Sequence, residues 1–125
     1  LVRATGVAAR YATDLGLDAI RERSWGLADQ MRGLLADVVG VRPLDHGATL
    51  SAIVTISVEG WRPPDLMREL RARGINTSGQ GSVDAVIDYD TKGVDGSLRV
   101  SPHYFNTEEE LTTLIAALEE LRGED

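Results

Sequence analysis

Residues 98–111 read LRVSPHYFNTEEEL, which predicts a short strand, a turn and the start of a helix. The helix start is marked by Thr107 as N-cap and by Glu110, three residues further on. In this capping box each side chain satisfies a free backbone N–H at the helix end. Arg99 lies near the end of the strand, just before the turn. A fixed cation in that position can bind a small anion, so Arg99 is the first candidate for a binding residue.

Four helices are predicted from apolar residues that recur every three or four positions. Gly16 interrupts the first helix, Gly40 ends the second, and Pro63 suits the first turn of the third. The last helix follows the capping box. The apolar positions are Val7, Tyr11 and Leu15; then Ile20, Leu27, Met31, Leu34, Leu35 and Val38; then Leu66, Met67 and Leu70; and finally Leu111, Leu114, Ile115, Leu118 and Leu121. We expect the long stripe of the second helix to belong to the core.

Strands are predicted between these helices. Residues 51–58 give the clearest one, because apolar and more polar side chains alternate along them. Residues 41–44 predict an edge strand, since Pro43 cannot donate to a central ladder. Further strands are expected at 75–78, 83–89 and 97–101, with a flexible loop at 79–82 and a turn-rich connection at 90–96. This order predicts one α+β domain over residues 1–125, a two-layer sandwich with a mainly antiparallel sheet and helices on one face.

Composition narrows the function classes. The 125 residues carry a net charge of -7, which disfavours a nucleic-acid or anionic-membrane partner. No apolar run approaches the roughly 20 residues that span a bilayer. The chain has no cysteine, which excludes disulfides, thiolate metal sites and cysteine nucleophiles within it. No secretory signal is visible, so a cytoplasmic location is the default expectation. The chain does not begin with methionine and is open to being a piece of a longer protein.

Other candidate sites are weaker than Arg99. His46 and His103 have no metal-ligand spacing around them, and His103 is instead a candidate for lining a cleft near Arg99. Residues 88–99 begin like a calcium loop, but position five is a lysine and position twelve, which needs glutamate, is Arg99. Residues 79–81 give only a weak phosphate-loop pattern. We therefore expect no metal site.

Lys92 is the single lysine, and it falls in a polar turn where we expect it to be exposed and unactivated. No nucleophile and base with a supporting third group can be identified elsewhere. The sequence therefore predicts no catalytic residue in this chain.

Residues 99–101 followed by 103–110 resemble the C-terminal signature of class V aminotransferase-fold enzymes, which depend on pyridoxal 5'-phosphate (PLP). Supporting similarity lies in residues 16–20, 53–56 and 73–76, so the resemblance covers the chain from about Gly6 to Leu121. Within this family, the sequence especially resembles the isopenicillin N epimerase-like and cysteine desulfurase-like branch. It implies the small domain of a fold-type I PLP enzyme, with the large PLP-binding domain and its lysine upstream.

The resemblance also implies roles for particular residues. Arg99 matches the family arginine that pairs with the α-carboxylate of an amino-acid substrate, and the small domain closes over the active site. In this hypothesis the loop at residues 76–82, with Asn76 and Ser78, shapes the cleft, and His103 is a further candidate for lining it. The family usually forms homodimers. Many cysteine desulfurases carry a catalytic cysteine after the strand that corresponds to residues 75–78, and this chain has none. An aminotransferase, epimerase or C–S lyase type is favoured instead.

Two alternatives stay open from the sequence. The first is a stand-alone regulatory domain that binds an amino acid through Arg99 without catalysis. The second is a protein-interaction domain that docks through the apolar side of its opening helices.

Overall fold

The structure, a computed structural model, describes residues 2–123 and contains a four-stranded antiparallel sheet with five α-helices. The strands are β1 (Val41–Pro43), β2 (Val54–Val58), β3 (Ser78–Gly81) and β4 (Gly96–Val100), and they lie in the order β1-β2-β4-β3. The helices are α1 (Val2–Leu15), α2 (Leu17–Asp37), α3 (Pro63–Ala72), α4 (Val86–Lys92) and α5 (Glu108–Arg122). The predicted α+β class with a mainly antiparallel sheet is confirmed.

The core lies between one face of the sheet and the three helices α2, α3 and α5. Val54, Ile56 and Val58 alternate inward along β2, and Leu98 and Val100 do the same along β4. The helices contribute the leucines and the methionine that the periodicity predicted: Leu27, Met31, Leu35, Leu66, Leu70, Leu111, Leu114, Leu118 and Leu121. Burial of this apolar surface is the main stabilising contribution to the domain.

Features formed by residues close together in sequence were predicted correctly. The Thr107 hydroxyl accepts from the Glu110 backbone N–H at 3.3 Å, and the Glu110 carboxylate accepts from the Thr107 N–H at 3.0 Å. Gly16 has φ of 95°, a region that favours glycine, and it separates α1 from α2. The predicted capping box and helix interruption are therefore confirmed.

The region between α3 and β4 differs from the prediction. The strand lies at Ser78–Gly81, so residues 79–81 are paired strand and not a mobile loop. Residues 83–89 are not a strand: Ser82–Asp84 forms a 3₁₀ turn, and α4 follows. The Asp84 carboxylate accepts from the Gly81 N–H at 2.9 Å and turns the chain out of the sheet. Val83 and Ile87 are consequently exposed to solvent.

The helix α4 lies on the sheet face opposite the core. Its Tyr89 is buried, and the Tyr89 hydroxyl lies 2.9 Å from the Ser97 hydroxyl. Ser97 points to the face of β4 opposite Leu98, which is part of the core. Its last carbonyl, that of Lys92, accepts from the Arg42 guanidinium of β1 at 3.1 Å. The helices α2, α3 and α5 pack on one face of the sheet as predicted, and α4 covers part of the other face. No helix within residues 2–123 has the length and apolarity to cross a membrane.

Candidate functional site

Arg99 lies on the sheet face opposite the core, which we call the Arg99 face. Strand register places Arg99 between Thr55 of β2 and Ser78 of β3. The face is formed by the side chains that alternate with the core positions: Arg42, Thr55, Ser57, Ser78, Gln80, Ser97 and Arg99. It is a polar surface with two arginines, and α4 covers the end that carries Ser97.

The Arg99 side chain is half-buried, and within residues 2–123 it makes no side-chain hydrogen bond or ion pair. Its neighbours across the strands are hydroxyl residues, Thr55 and Ser78, and no carboxylate among residues 2–123 forms an ion pair with it. A guanidinium is always protonated and offers a planar fork of donors. The position therefore presents a fixed cation that can bind a carboxylate or another small oxyanion.

Thr55 is held in place by a largely buried ion pair that no sequence pattern predicts. The Asp45 carboxylate accepts from the Thr55 hydroxyl at 2.6 Å and from the Thr55 N–H at 2.9 Å. The Arg32 Nε donates to the other Asp45 oxygen at 3.0 Å. The side chains of Arg32 and Asp45 are only 13% and 11% exposed. The spacing of these residues in the sequence does not predict the contact, because strand register and helix packing bring them together.

The other predicted site residues are placed differently. Ser78 stands beside Arg99, so the structure brings these two together. Asn76 lines a cavity of about 450 Å³ whose walls also include Thr77, Ser101 and Phe105 but not Arg99. The Thr77 hydroxyl is buried and finds no hydrogen-bond partner in the part of the chain that the structure describes. A role for Asn76 in the Arg99 cleft stays a prediction.

His103 lies exposed in the turn after β4. Its ring stacks on Phe105 with centroids 5.3 Å apart and meets Tyr104 edge-on at 5.0 Å. Its backbone N–H donates to the Asn106 side chain at 2.8 Å. These contacts give His103 a packing role in the turn, and its predicted place in the Arg99 cleft stays a prediction.

The turn after β4 is anchored to α2 by a charged contact. Arg23 donates to both oxygens of Glu108, at 2.5 and 3.0 Å, and to the Asn106 carbonyl at 3.0 Å. This bidentate hydrogen bond lowers the pKa of Glu108 to about 2. A hydrogen bond to Tyr11 of α1 raises the pKa of Tyr104. The segment that follows Arg99 is thus tied to both opening helices.

Lys92 and the glycine-rich residues 79–81 are placed differently from the sequence prediction. Lys92 is not in a turn but ends α4, and it is largely buried instead of exposed as predicted. Its amine donates to the Asp88 carboxylate at 2.7 Å, one turn earlier on the same helix. The N–H groups of residues 79–81 belong to a strand and cannot cradle a phosphate. Within residues 2–123 no group of three or more His, Asp or Glu side chains could hold a metal ion.

The family model for "Aminotransferase class-V" matches residues 2–114, which include Arg99 and both strands beside it. The chain belongs to the class-V aminotransferase family. A probable cysteine desulfurase of Halobacterium salinarum is 32% identical over 117 residues, which cover 90% of this chain and 27% of that protein. The resemblance on the motif in residues 99–110 is thereby confirmed at the level of the family.

Solved structures agree with this class-V assignment. The apo cysteine desulfurase of Thermococcus onnurineus is 26% identical, with a TM-score of 0.82 over 91% of this chain and 29% of that one. The cysteine desulfurase CsdA of Escherichia coli is 23% identical, with a TM-score of 0.80 over 91% of this chain and 28% of that one, and shows the same fold. This class-V chain spans little more than a quarter of the length of these three relatives.

Proposed function

We propose that this class-V chain is the C-terminal small domain of a PLP-dependent enzyme that acts on an amino acid or its derivative. In this proposal Arg99 binds the substrate carboxylate, and the domain closes over an active site built mainly by an upstream large domain. One observation carries the proposal. The matched family segment places a half-buried guanidinium on a polar sheet face, with no protein partner within residues 2–123.

A carboxylate is the ligand that suits this arginine best. A partly buried cation that lacks a counter-charge is costly, and binding an anion removes that cost. The guanidinium fork meets both oxygens of a carboxylate at once, which fixes the orientation of the ligand as well as its position. For an amino acid this contact would also fix the direction of the bonds at Cα, which decides what reaction an active site can carry out.

The upstream domain is proposed on three grounds. The chain covers 27% of the Halobacterium salinarum relative and 29% of the Thermococcus onnurineus one. No side chain of α1 is buried, and its predicted apolar positions Val7, Tyr11 and Leu15 are 58%, 60% and 44% exposed. The only lysine is engaged with Asp88. We therefore assign PLP, with its lysine, to the upstream domain, against which α1 would pack. The homodimer and the cytoplasmic location remain predictions.

The reaction type follows from the absence of a thiol. Several relatives are described as cysteine desulfurases, but this chain has no cysteine on which a persulfide could form. We therefore propose an aminotransferase, epimerase or C–S lyase type of reaction. In each of these the contribution of the small domain is to bind and orient the substrate.

The test uses the full-length protein, loaded with PLP and supplied with a panel of L-amino acids. For the best substrate, Arg99→Ala should lower kcat/KM by roughly 30-fold to 1,000-fold, because losing a charge-assisted bidentate contact costs about 2–4 kcal/mol. Arg42→Gln is the matched control, since Arg42 is an exposed arginine on the same face. Unchanged kcat/KM for Arg99→Ala would remove Arg99 from the substrate site.

A further inference from the structure

The outer surface of α4 and of the 3₁₀ turn before it is aliphatic. Val83, Val86 and Ile87 lie within five residues of one another and are 87%, 53% and 84% exposed. We call these three residues the α4 patch. A short helix on a sheet normally turns its aliphatic side chains towards the sheet, yet here the one buried residue of α4 is Tyr89. A cluster of exposed apolar side chains, unlike a single one, typically marks an interaction surface.

The hydrogen bonds that hold α4 on the sheet do not involve the α4 patch. The Tyr89 hydroxyl lies 2.9 Å from the Ser97 hydroxyl and 3.4 Å from the side-chain oxygen of Gln80. At the end of the helix, the Lys92 carbonyl accepts from the Arg42 guanidinium at 3.1 Å. These polar contacts attach the helix while its aliphatic side chains stay in water. Within residues 2–123 the α4 patch is therefore left without a cover.

The helix α4 also borders the Arg99 position. Ser97 and Gln80, which contact Tyr89, lie two residues from Arg99 and Ser78 on the same two strands. Two residues correspond to about 7 Å along a strand. A domain surface that covers a ligand on Arg99 therefore reaches α4 as well. A permanent cover over both would keep the ligand out, so such a surface has to arrive after the ligand has bound.

We infer that the α4 patch is the contact surface on which the upstream domain closes once a carboxylate ligand occupies Arg99. This inference rests on the proposed function and adds to it the residues that make the closing contact. The size of the relatives favours this occupant: the chain covers 27% and 29% of two of them, so most of such a protein lies outside the structure. Aliphatic side chains suit the contact because they exclude water from the bound ligand.

The charges beside the α4 patch define the surface that fits it. Asp90 is one turn from Ile87 on α4, and Asp95 lines the same cavity of about 560 Å³ as Val83. Both carboxylates are exposed and make no ion pair within residues 2–123. The complementary surface is therefore apolar with a basic rim. A second copy of this chain fits less well, because it brings the same carboxylates and a net charge of -7.

Hydroxyl-radical footprinting with mass spectrometry on the full-length protein measures how accessible Val83 and Ile87 are. The protein is labelled alone, with excess L-alanine, and with excess ethylamine, which is L-alanine without its carboxylate. L-Alanine should lower the labelling of both residues about fivefold, as expected for side chains that enter an interface core, whereas ethylamine should not lower it. Val39 is the control residue, because it is a 73% exposed valine outside α4. In Arg99→Ala the effect of L-alanine should disappear.

A double variant tests the energy of the same contact. Val83→Ser with Ile87→Ser should keep the fold, since both side chains are exposed, and circular dichroism checks this. We expect it to weaken L-alanine binding about fivefold to thirtyfold in calorimetry, because closure then buries less apolar surface. Val39→Ser is the matched control and should leave the affinity unchanged. A folded double variant with wild-type affinity would overturn the inference.

The other outcomes separate this inference from the proposed function. Labelling of the α4 patch that is low without any ligand would mean a permanent interface, and labelling that falls as the protein concentration rises would mean a second copy; either result overturns the closing contact. If Arg99→Ala lowers kcat/KM but L-alanine never protects the α4 patch, the closing contact fails and the proposed function stands. If kcat/KM is unchanged in Arg99→Ala, both fail.

Discussion

Gly79 controls how closely α3 packs on β3, and its replacement gives the sharpest stability prediction. A Cβ added at Gly79 would lie 2.5 Å from the Pro63 carbonyl oxygen, 2.7 Å from its carbon and 2.9 Å from the Pro64 nitrogen. All three are backbone atoms in the first turn of α3, so no side-chain rotation can relieve the overlap. The helix has to move away from the strand, at the cost of contacts with Leu66 and Leu70 in the core.

The expected cost of Gly79→Ala is about 2–3 kcal/mol in the free energy of unfolding, the upper part of the range for overpacked sites. For a domain of this size that corresponds to a fall in Tm of roughly 10 °C. Gly81→Ala is the matched control on the same strand, because a Cβ there meets nothing within 4 Å. It should be neutral or raise stability by up to about 1 kcal/mol, since alanine restricts the unfolded chain.

Urea unfolding of the two variants and the wild-type chain, followed by circular dichroism, measures both values. The two substitutions add the same methyl group two residues apart, so their effects should differ in sign or at least by about 2 kcal/mol. Equal free energies for Gly79→Ala and Gly81→Ala would refute the close approach of α3 to β3.

Two further predictions concern contacts outside the core. Tyr89→Phe should lower the free energy of unfolding by about 1–2 kcal/mol, because it leaves the buried Ser97 hydroxyl without its 2.9 Å partner. Adding Ser97→Ala should recover part of that loss. Urea unfolding measures both variants, and a loss that the second substitution does not change would contradict the pairing. Glu108→Gln should lower the Tm above about pH 5, where Glu108 is ionised both unfolded and bound to Arg23. Because folding depresses the pKa of Glu108 to about 2, the stabilisation is lost as the pH falls from about 4.5 to 2, and the difference in Tm should vanish there. A difference that stays constant over a thermal-unfolding series from pH 7 to 2 would show that the charge of Glu108 is not its cause.

The sequence predicted those parts of the fold that depend on neighbouring residues alone. The capping box at Thr107 and the helical stripes need only contacts three or four positions away. The strand at Ser78–Gly81 was misplaced because a strand this short is defined by its partner, here β4, and not by its own two glycines. The segment 83–89 has strand-like composition, but the hydrogen bond from the Gly81 N–H to the Asp84 carboxylate turns it out of the sheet.

The sequence likewise predicted one part of the candidate site, Arg99, but not the residues around it. Arg99 could be singled out because the strand and the capped helix around it are local signals. Its neighbours Thr55 and Ser78 are set by the register of β2 and β3, which single-sequence periodicity does not fix. Asp45 and Arg32 lie further still from any local pattern, because their contact requires α2 to pack beside the sheet edge.

The strands on the two sides of Arg99 are held by different helices. On one side Arg32 of α2 fixes Thr55 through Asp45. On the other side the close contact between Gly79 and the start of α3 fixes β3, which carries Ser78. The residues on both sides of Arg99 are therefore held by contacts with the helices, whereas the Arg99 side chain makes no hydrogen bond within residues 2–123. In the proposed function, a carboxylate that binds Arg99 would meet neighbours that are already in place, so little further ordering would oppose binding.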